Sequence, residues 1–151
     1  SEAVRFLRDR GYEVYDFRHP SSGDNGFDWS EIDSLWKEWD VRAYVWALGH
    51  PTAKRGFKTD MDALKAADVC LLVMPCNRSA HLELGWAVGS GRRGLIWIPD
   101  GTPIEPELMY GMCSVITTSL DDVVEFLESE NNRRGCERGN VQDSEAGSRE
   151  G

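Results

Sequence analysis

Val69-Cys70-Leu71-Leu72-Val73-Met74 is an unbroken apolar run, ended by Pro75 and bordered on both sides by helical patterns. A run this short is a strand rather than a buried helix, and a strand apolar at every position needs cover on both faces. Such cover is what helices give a parallel sheet. The arrangement recurs in Leu95-Ile96-Trp97-Ile98, stopped by Pro99, and in a third strand from Ser114 to Thr117. Between and around these, Thr59-Asp60-Met61-Asp62 fits a capping-box start for a helix over 60–67, with Met61, Leu64 and Ala67 on one face. Residues 80–90 predict a helix ending at Gly89 and Gly91, and Leu120 to Leu127 a last helix capped by Ser119. The opening stretch, AVRFLRDRGYEVYDF, predicts a helix closed by Gly11 and a strand over Tyr12 to Tyr15; a strand ahead of it is expected to be missing. The fold class expected is therefore α/β with a mainly parallel sheet, over residues 1–128.

Composition bounds the rest. A chain of 151 residues, 40% hydrophobic and with six Trp, suits one domain with a sizeable core. No apolar run approaches the roughly 18 residues of a membrane span, and no signal-peptide pattern opens the chain, so no membrane partner is expected and the location predicted is cytoplasmic. Cys70, Cys76, Cys113 and Cys136 form no C-x-x-C pair and no ligand spacing with the three His, which predicts reduced thiols and no structural metal. A formal net charge of −9 argues against a nucleic-acid partner, because neutralising phosphates takes a basic surface. Residues 129–151 lack apolar periodicity and read as a disordered tail. Residues 20–56 hold four of the six Trp and interrupt the alternation, as an inserted helical segment would. Trp29, Trp36, Trp39 and Trp46 form either a satellite hydrophobic cluster or a lid that stacks on a planar ligand.

Gly89-Ser90-Gly91-Arg92-Arg93-Gly94 satisfies G-x-G-x-x-G, but it ends a helix and precedes a strand, the reverse of a dinucleotide fingerprint. No Walker-type phosphate loop is present, and no G-x-S-x-G surrounds Ser79. More informative is the loop Pro75-Cys76-Asn77-Arg78-Ser79, which leaves the carboxyl end of a strand read as central and enters a helix. Ligands of open α/β sheets bind at that edge, where free helix N–H groups favour an anion. Asn77, Arg78 and Ser79 suit a hydroxyl or phosphate; alternatively Ser79 is only the N-cap and Arg78 a solvated charge. With Ser79 as cap, Glu83 falls about one turn into the helix, on a stripe of small residues formed by Ala80, Ala87 and Ser90. Glu83 is then either an ordinary helix-stabilising acid or a carboxylate with room for a ligand beside it. His81, His19 and His50 read as structural or solvent-facing.

These residues resemble the nucleoside 2-deoxyribosyltransferase family over roughly 57–128. The likeness is carried by Asp60 opening a helix, by Ala67-Asp68 before the apolar strand, and by the small-residue loop leading to Glu83-Leu84-Gly85 with Ala87. The resemblance implies a flavodoxin-like three-layer sandwich, no cofactor, and cleavage of the N-glycosidic bond of a 2′-deoxynucleoside or its 5′-monophosphate. It implies Glu83 as the nucleophile on C1′ and Asp60 as the group that assists the nucleobase. Asn77 and Ser79 would hold the sugar 5′ end, Arg78 a 5′-phosphate, and Asp16 and Met109 would lie at the substrate. Leu108-Met109 resembles a pair near the family's subunit interface, so a homodimer or larger assembly is expected. Transfer to a second nucleobase, hydrolysis by water, and an inactive nucleotide-binding module remain alternatives. The acidic residue that follows the apolar strand in the transferases is here replaced by Pro75-Cys76-Asn77.

Overall fold

The computed structural model describes residues 1–20 and 25–146, with side chains described up to Arg134. Its contacts divide the chain into two compact units, Ser1–Cys70 and Leu71–Gly151.

The first unit begins with α1 (Glu2–Arg8), whose N-cap Ser1 accepts from the Val4 amide. The helix stops as the sequence predicts. Gly11 takes φ +85°, and the amides of Gly11 and Tyr12 return to the carbonyls of Arg8 and Leu7, the paired bonds of a Schellman stop. Residues 12–16 are not a strand, contrary to expectation: the stretch carries no ladder among the described residues, and the Val14 carbonyl instead accepts from the Arg8 guanidinium at 2.7 Å.

Two short 3₁₀ turns, Trp29–Glu31 and Trp36–Glu38, lead into α2 (Val41–Leu48) and α3 (Pro51–Ala66). The expected helix over 60–67 is the last part of α3, which starts nine residues earlier. The start signal is His50-Pro51: the His50 ring caps the Thr52 amide, and proline at the first helical position has no N–H to leave unpaired. Thr59-Asp60 is therefore helix interior and caps nothing. Of the Trp set, Trp29 forms the satellite cluster's hub, edge-on to Phe27, Trp39 and Tyr44 at 4.9, 5.7 and 5.9 Å between ring centroids. Trp46 stays outside it, 68% exposed and beside His50. Among the described residues of this unit, Ala3, Leu7, Ala47 and Ala53 are the buried apolar ones.

The second unit carries most of the sheet. β1 (Val69–Val73), β2 (Arg93–Trp97) and β3 (Val115–Thr117) form a three-stranded parallel sheet in the order β1-β2-β3, with Leu95, Ile96 and Trp97 opposite Val115, Ile116 and Thr117. All three strands fall within a residue or two of the apolar runs. The central strand among those described is β2, however, and β1 lies at an edge.

α4 (Arg78–Gly89) packs on β2, and α5 (Leu120–Ala146) packs on β2 and β3. Leu72, Leu95, Ile96 and Val123 are completely enclosed, with Leu84, Ala80 and Ala87 from α4 against them. The G-x-G-x-x-G stretch is a helix-to-strand turn, with Gly91 at φ +87°. Ser119 caps α5 through the Asp121 amide at 3.2 Å. The helix continues past the predicted end at Leu127, because Glu130 joins Arg93 at 3.5 Å and Arg133 at 3.3 Å and so ties the next turn to the sheet. Its backbone is helical through Ala146, within the stretch read as a tail; residues 147–151 lie outside the described range. Among the described residues, no helix is long and apolar enough to cross a membrane.

Candidate functional site

The loop between β1 and α4 is organised by Asn77, not by Ser79. Asn77 has an extended backbone, its side-chain oxygen accepts from the Ala80 amide at 3.3 Å, and it is the N-cap of α4. Asparagine comes first in the chain, and once it caps, Arg78 and Ser79 are the first two helical residues. Both are exposed. Asn77 thus spends its side-chain acceptor on the helix.

This shift of the cap moves Glu83 into the second turn, and no acidic residue stands in the first. The pull of the helix N-terminus fades within one turn, so Glu83 gains little from it and contributes little to it. The carboxylate is half-buried beside the buried row Ala80, Leu84 and Ala87. That row corrects part of the expectation. The small residues Ala80 and Ala87 are 8% and 0% exposed and fill space in the core, so they do not leave an open stripe. Ser90 is exposed, and its hydroxyl donates to the Ala87 carbonyl. Space for a Cβ on this helix lies at Gly85 and Gly89, where one would meet nothing within 4 Å, and Gly85, two residues on, faces away from Glu83.

In the first unit, Asp60 sits late in α3 and is half-buried, its carboxylate accepting from the Tyr15 hydroxyl at 2.9 Å. The expectation that it opens a helix does not hold. Asp16 folds back on its own turn, its carboxylate accepting from the Arg18 amide at 3.1 Å and its carbonyl from the His19 amide. Met109 lies in a 3₁₀ turn, Leu108–Met112, and is 60% exposed, with its amide held by the Glu107 carboxylate at 2.8 Å. The five residues assigned to substrate are thus placed as a helix cap, two exposed helix-start residues, a turn former and an exposed apolar side chain.

A constellation that sequence reasoning missed joins the end of β1, the start of α4 and the 3₁₀ turn. His81 Nδ1 lies 2.9 Å from the Asn77 carbonyl oxygen and 3.6 Å from Cys76 Sγ, while Nε2 lies 2.7 Å from the Tyr110 hydroxyl. A carbonyl only accepts, so Nδ1 carries the proton and Tyr110 donates to Nε2. The tyrosine suits that role, because burial, followed by the neighbouring Cys76, Glu107, Cys113 and Glu105, pushes its hydroxyl above the ordinary phenol range. The Cys76 thiol in turn meets Met74 Sδ at 3.4 Å, and the Tyr110 hydroxyl reaches the same sulfur at 3.8 Å. His81, expected to be structural or solvent-facing, is half-buried and bonded at both nitrogens. The signal available in sequence was Met74-x-Cys76 followed by His81; Tyr110, 29 residues further on, has none.

No known protein family, curated protein or solved structure matches this chain.

Proposed function

We propose that this chain is a flavodoxin-like enzyme that cleaves the N-glycosidic bond of a 2′-deoxynucleoside or its 5′-monophosphate and transfers the sugar to a second nucleobase. The observation that carries the reading is the place of Glu83: a half-buried carboxylate in the second turn of the helix that follows β1, where the first-turn stabilising role does not apply. The exposed Arg78 and Ser79 at the start of the same helix add support, since N–H groups and a guanidinium there favour a 5′-phosphate.

In the proposed reaction a Glu83 carboxylate oxygen attacks C1′, and the C1′–N bond breaks with its electron pair leaving on the base, which takes up a proton. The product is a glycosyl ester. Attack on C1′ by a nitrogen of the incoming base, which gives up its N–H proton, then breaks the ester bond and releases the Glu83 carboxylate, through the same oxocarbenium-like transition state in reverse. Two displacements retain configuration at C1′. The role of Asp60 toward the base rests on the family resemblance, and its bond to Tyr15 favours a second reading, a nucleotide-binding module without turnover. Assembly as a homodimer or larger oligomer belongs to the same proposal.

The test is chromatography of 2′-deoxynucleosides and their 5′-monophosphates incubated with the protein, with and without a different free base. Base exchange is expected, and Glu83→Gln should lower it by at least about 10³-fold, since the covalent route needs the carboxylate. Base release without exchange would make the enzyme a hydrolase, and binding without release would favour the inactive module. Full activity in Glu83→Gln would end the proposal. Asp60→Asn, assayed separately, tests the second carboxylate.

A further inference from the structure

The side chains around Cys76 form a donor set that the N-glycosidase reading does not use. Met74 supplies a thioether, Cys76 a thiol and His81 an imidazole, with Cys76 Sγ 3.4 Å from Met74 Sδ and 3.6 Å from His81 Nδ1. No group of three His, Cys, Asp or Glu among the described residues is placed to hold a metal; here a methionine completes the set. Thiolate and thioether sulfur select soft ions, above all Cu(I), whereas a hard or borderline divalent ion gains little from a thioether. With metal–sulfur bonds near 2.3 Å and metal–nitrogen bonds near 2.0 Å, a trigonal ion holds its ligand atoms about 3.7–4.0 Å apart. The two separations from Cys76, 3.4 and 3.6 Å, fall a few tenths of an ångström short of those values, so an ion enters with a small outward shift of the side chains.

We propose that Met74, Cys76 and His81 form a binding site for one monovalent soft metal ion, Cu(I). Binding exchanges protons without redox change. The Cys76 thiol releases its proton to solvent and binds as thiolate, so the ion's charge is neutralised within the site. His81 gives up the Nδ1 proton, ending its bond to the Asn77 carbonyl, and takes one on Nε2, which then donates to the Tyr110 oxygen. Tyr110 changes from donor to acceptor without moving away. It is a positioning residue: a metal-bound imidazole is oriented by the partner of its other nitrogen, and such partners are worth about 10–100-fold in affinity. The two rings lie edge to edge and near-parallel, 19° between planes with centroids 5.8 Å apart, which aims the hydroxyl at Nε2. The proposal stands apart from the one above, since it requires neither Glu83 nor a nucleoside.

The experiment is an anaerobic competition between the full chain and a chromogenic Cu(I) chelator, with Zn(II) as a contrasting probe. Wild-type protein is expected to withhold one Cu(I) per chain, and Cys76→Ser and Met74→Leu to weaken that capture at least tenfold. Cys113→Ser should leave it unchanged, and Tyr110→Phe should weaken it while leaving stoichiometry at one. Ring ¹⁵N resonances of His81 in the wild-type protein decide the question without any variant: Cu(I) should convert Nδ1 from a protonated to a metal-bound nitrogen and Nε2 to a protonated one. Capture by Cys76→Ser equal to that of wild type, an unaltered His81 ring at one equivalent, or a preference for Zn(II) would each overturn the site.

Discussion

Asp33 stands at the surface, yet its carboxyl is held below the usual carboxylate range, first by the Trp39 indole N–H at 2.7 Å and then by the Leu35 amide at 2.9 Å. Both donors favour the charged form, so the group binds its proton less readily folded than unfolded. Its contribution to stability is fully present above the unfolded value of 3.8 and is lost as pH falls through the lower folded value. Asp33→Ala should therefore lower the melting temperature by a constant amount from neutral pH down to about pH 5, with the gap to wild type closing below pH 4. Trp fluorescence melts over that range check it; a gap unchanged at the most acidic pH would show that the loss comes from packing and not from charge. At this scale the sequence was a partial guide. It marked Asn77, Arg78, Ser79 and Glu83 as one group, but which polar residue caps the helix turns on backbone geometry, and a two-residue shift of the cap changed what Glu83 can be. The bond between His81 and Tyr110 was illegible, because nothing local records a contact made 29 residues away.

Among elements, the strands were the most legible, because an apolar run bounded by proline reports burial directly: Val69 to Met74 became β1, and Leu95 to Ile98 became β2 with a shift at each end. Helix starts were less so. Thr59-Asp60 carries a good capping pattern, but α3 was already under way from Pro51, and a capping residue inside a growing helix has no free amide to serve. Tyr12 to Tyr15 has strand composition, yet strand identity belongs to pairs, and the described residues give it no partner. The fit of α4 on β2 can be tested at two glycines that sequence alone treats alike. A Cβ on Gly94 would lie 2.5 Å from Val88 Cγ2 and 3.0 Å from Leu84 Cδ1, so Gly94→Ala should cost about 1–3 kcal/mol by overpacking. Gly85→Ala meets open space inside a helix and should add about 0.4–1 kcal/mol. Denaturant melts of the two variants should move in opposite directions. A stabilised Gly94→Ala would mean that α4 is looser on the strand than these distances say.

For the molecule as a whole, four of the six exposed large apolar residues described in the second unit fall within nine positions of chain: Ile104, Leu108, Met109 and Met112 are 56%, 91%, 60% and 44% exposed, with Leu82 and Ile116 lying elsewhere. The 3₁₀ turn explains why Leu108, Met109 and Met112 project, since five residues wound that tightly cannot bury one face and the Glu107 carboxylate fixes the turn by holding the Met109 amide. Exposed apolar side chains gathered this closely in the chain are unfavourable in water and favour association. A second copy of the chain is the partner the proposed enzyme implies, and a self-complementary patch closes into a dimer by two-fold symmetry. Sedimentation velocity should then find wild-type protein as a dimer or larger at micromolar concentration. Leu108→Glu, which places a charge on a side chain that makes almost no contact within its own chain, should shift it to monomer while the far-ultraviolet dichroism stays the same. Because Tyr110 lies in the same turn, the variant also separates the two proposals: losing the dimer should leave Cu(I) capture intact, as that site is built within one chain. A monomeric wild type at high micromolar concentration would remove the assembly from the proposed function and leave the turn as an apolar ridge facing solvent.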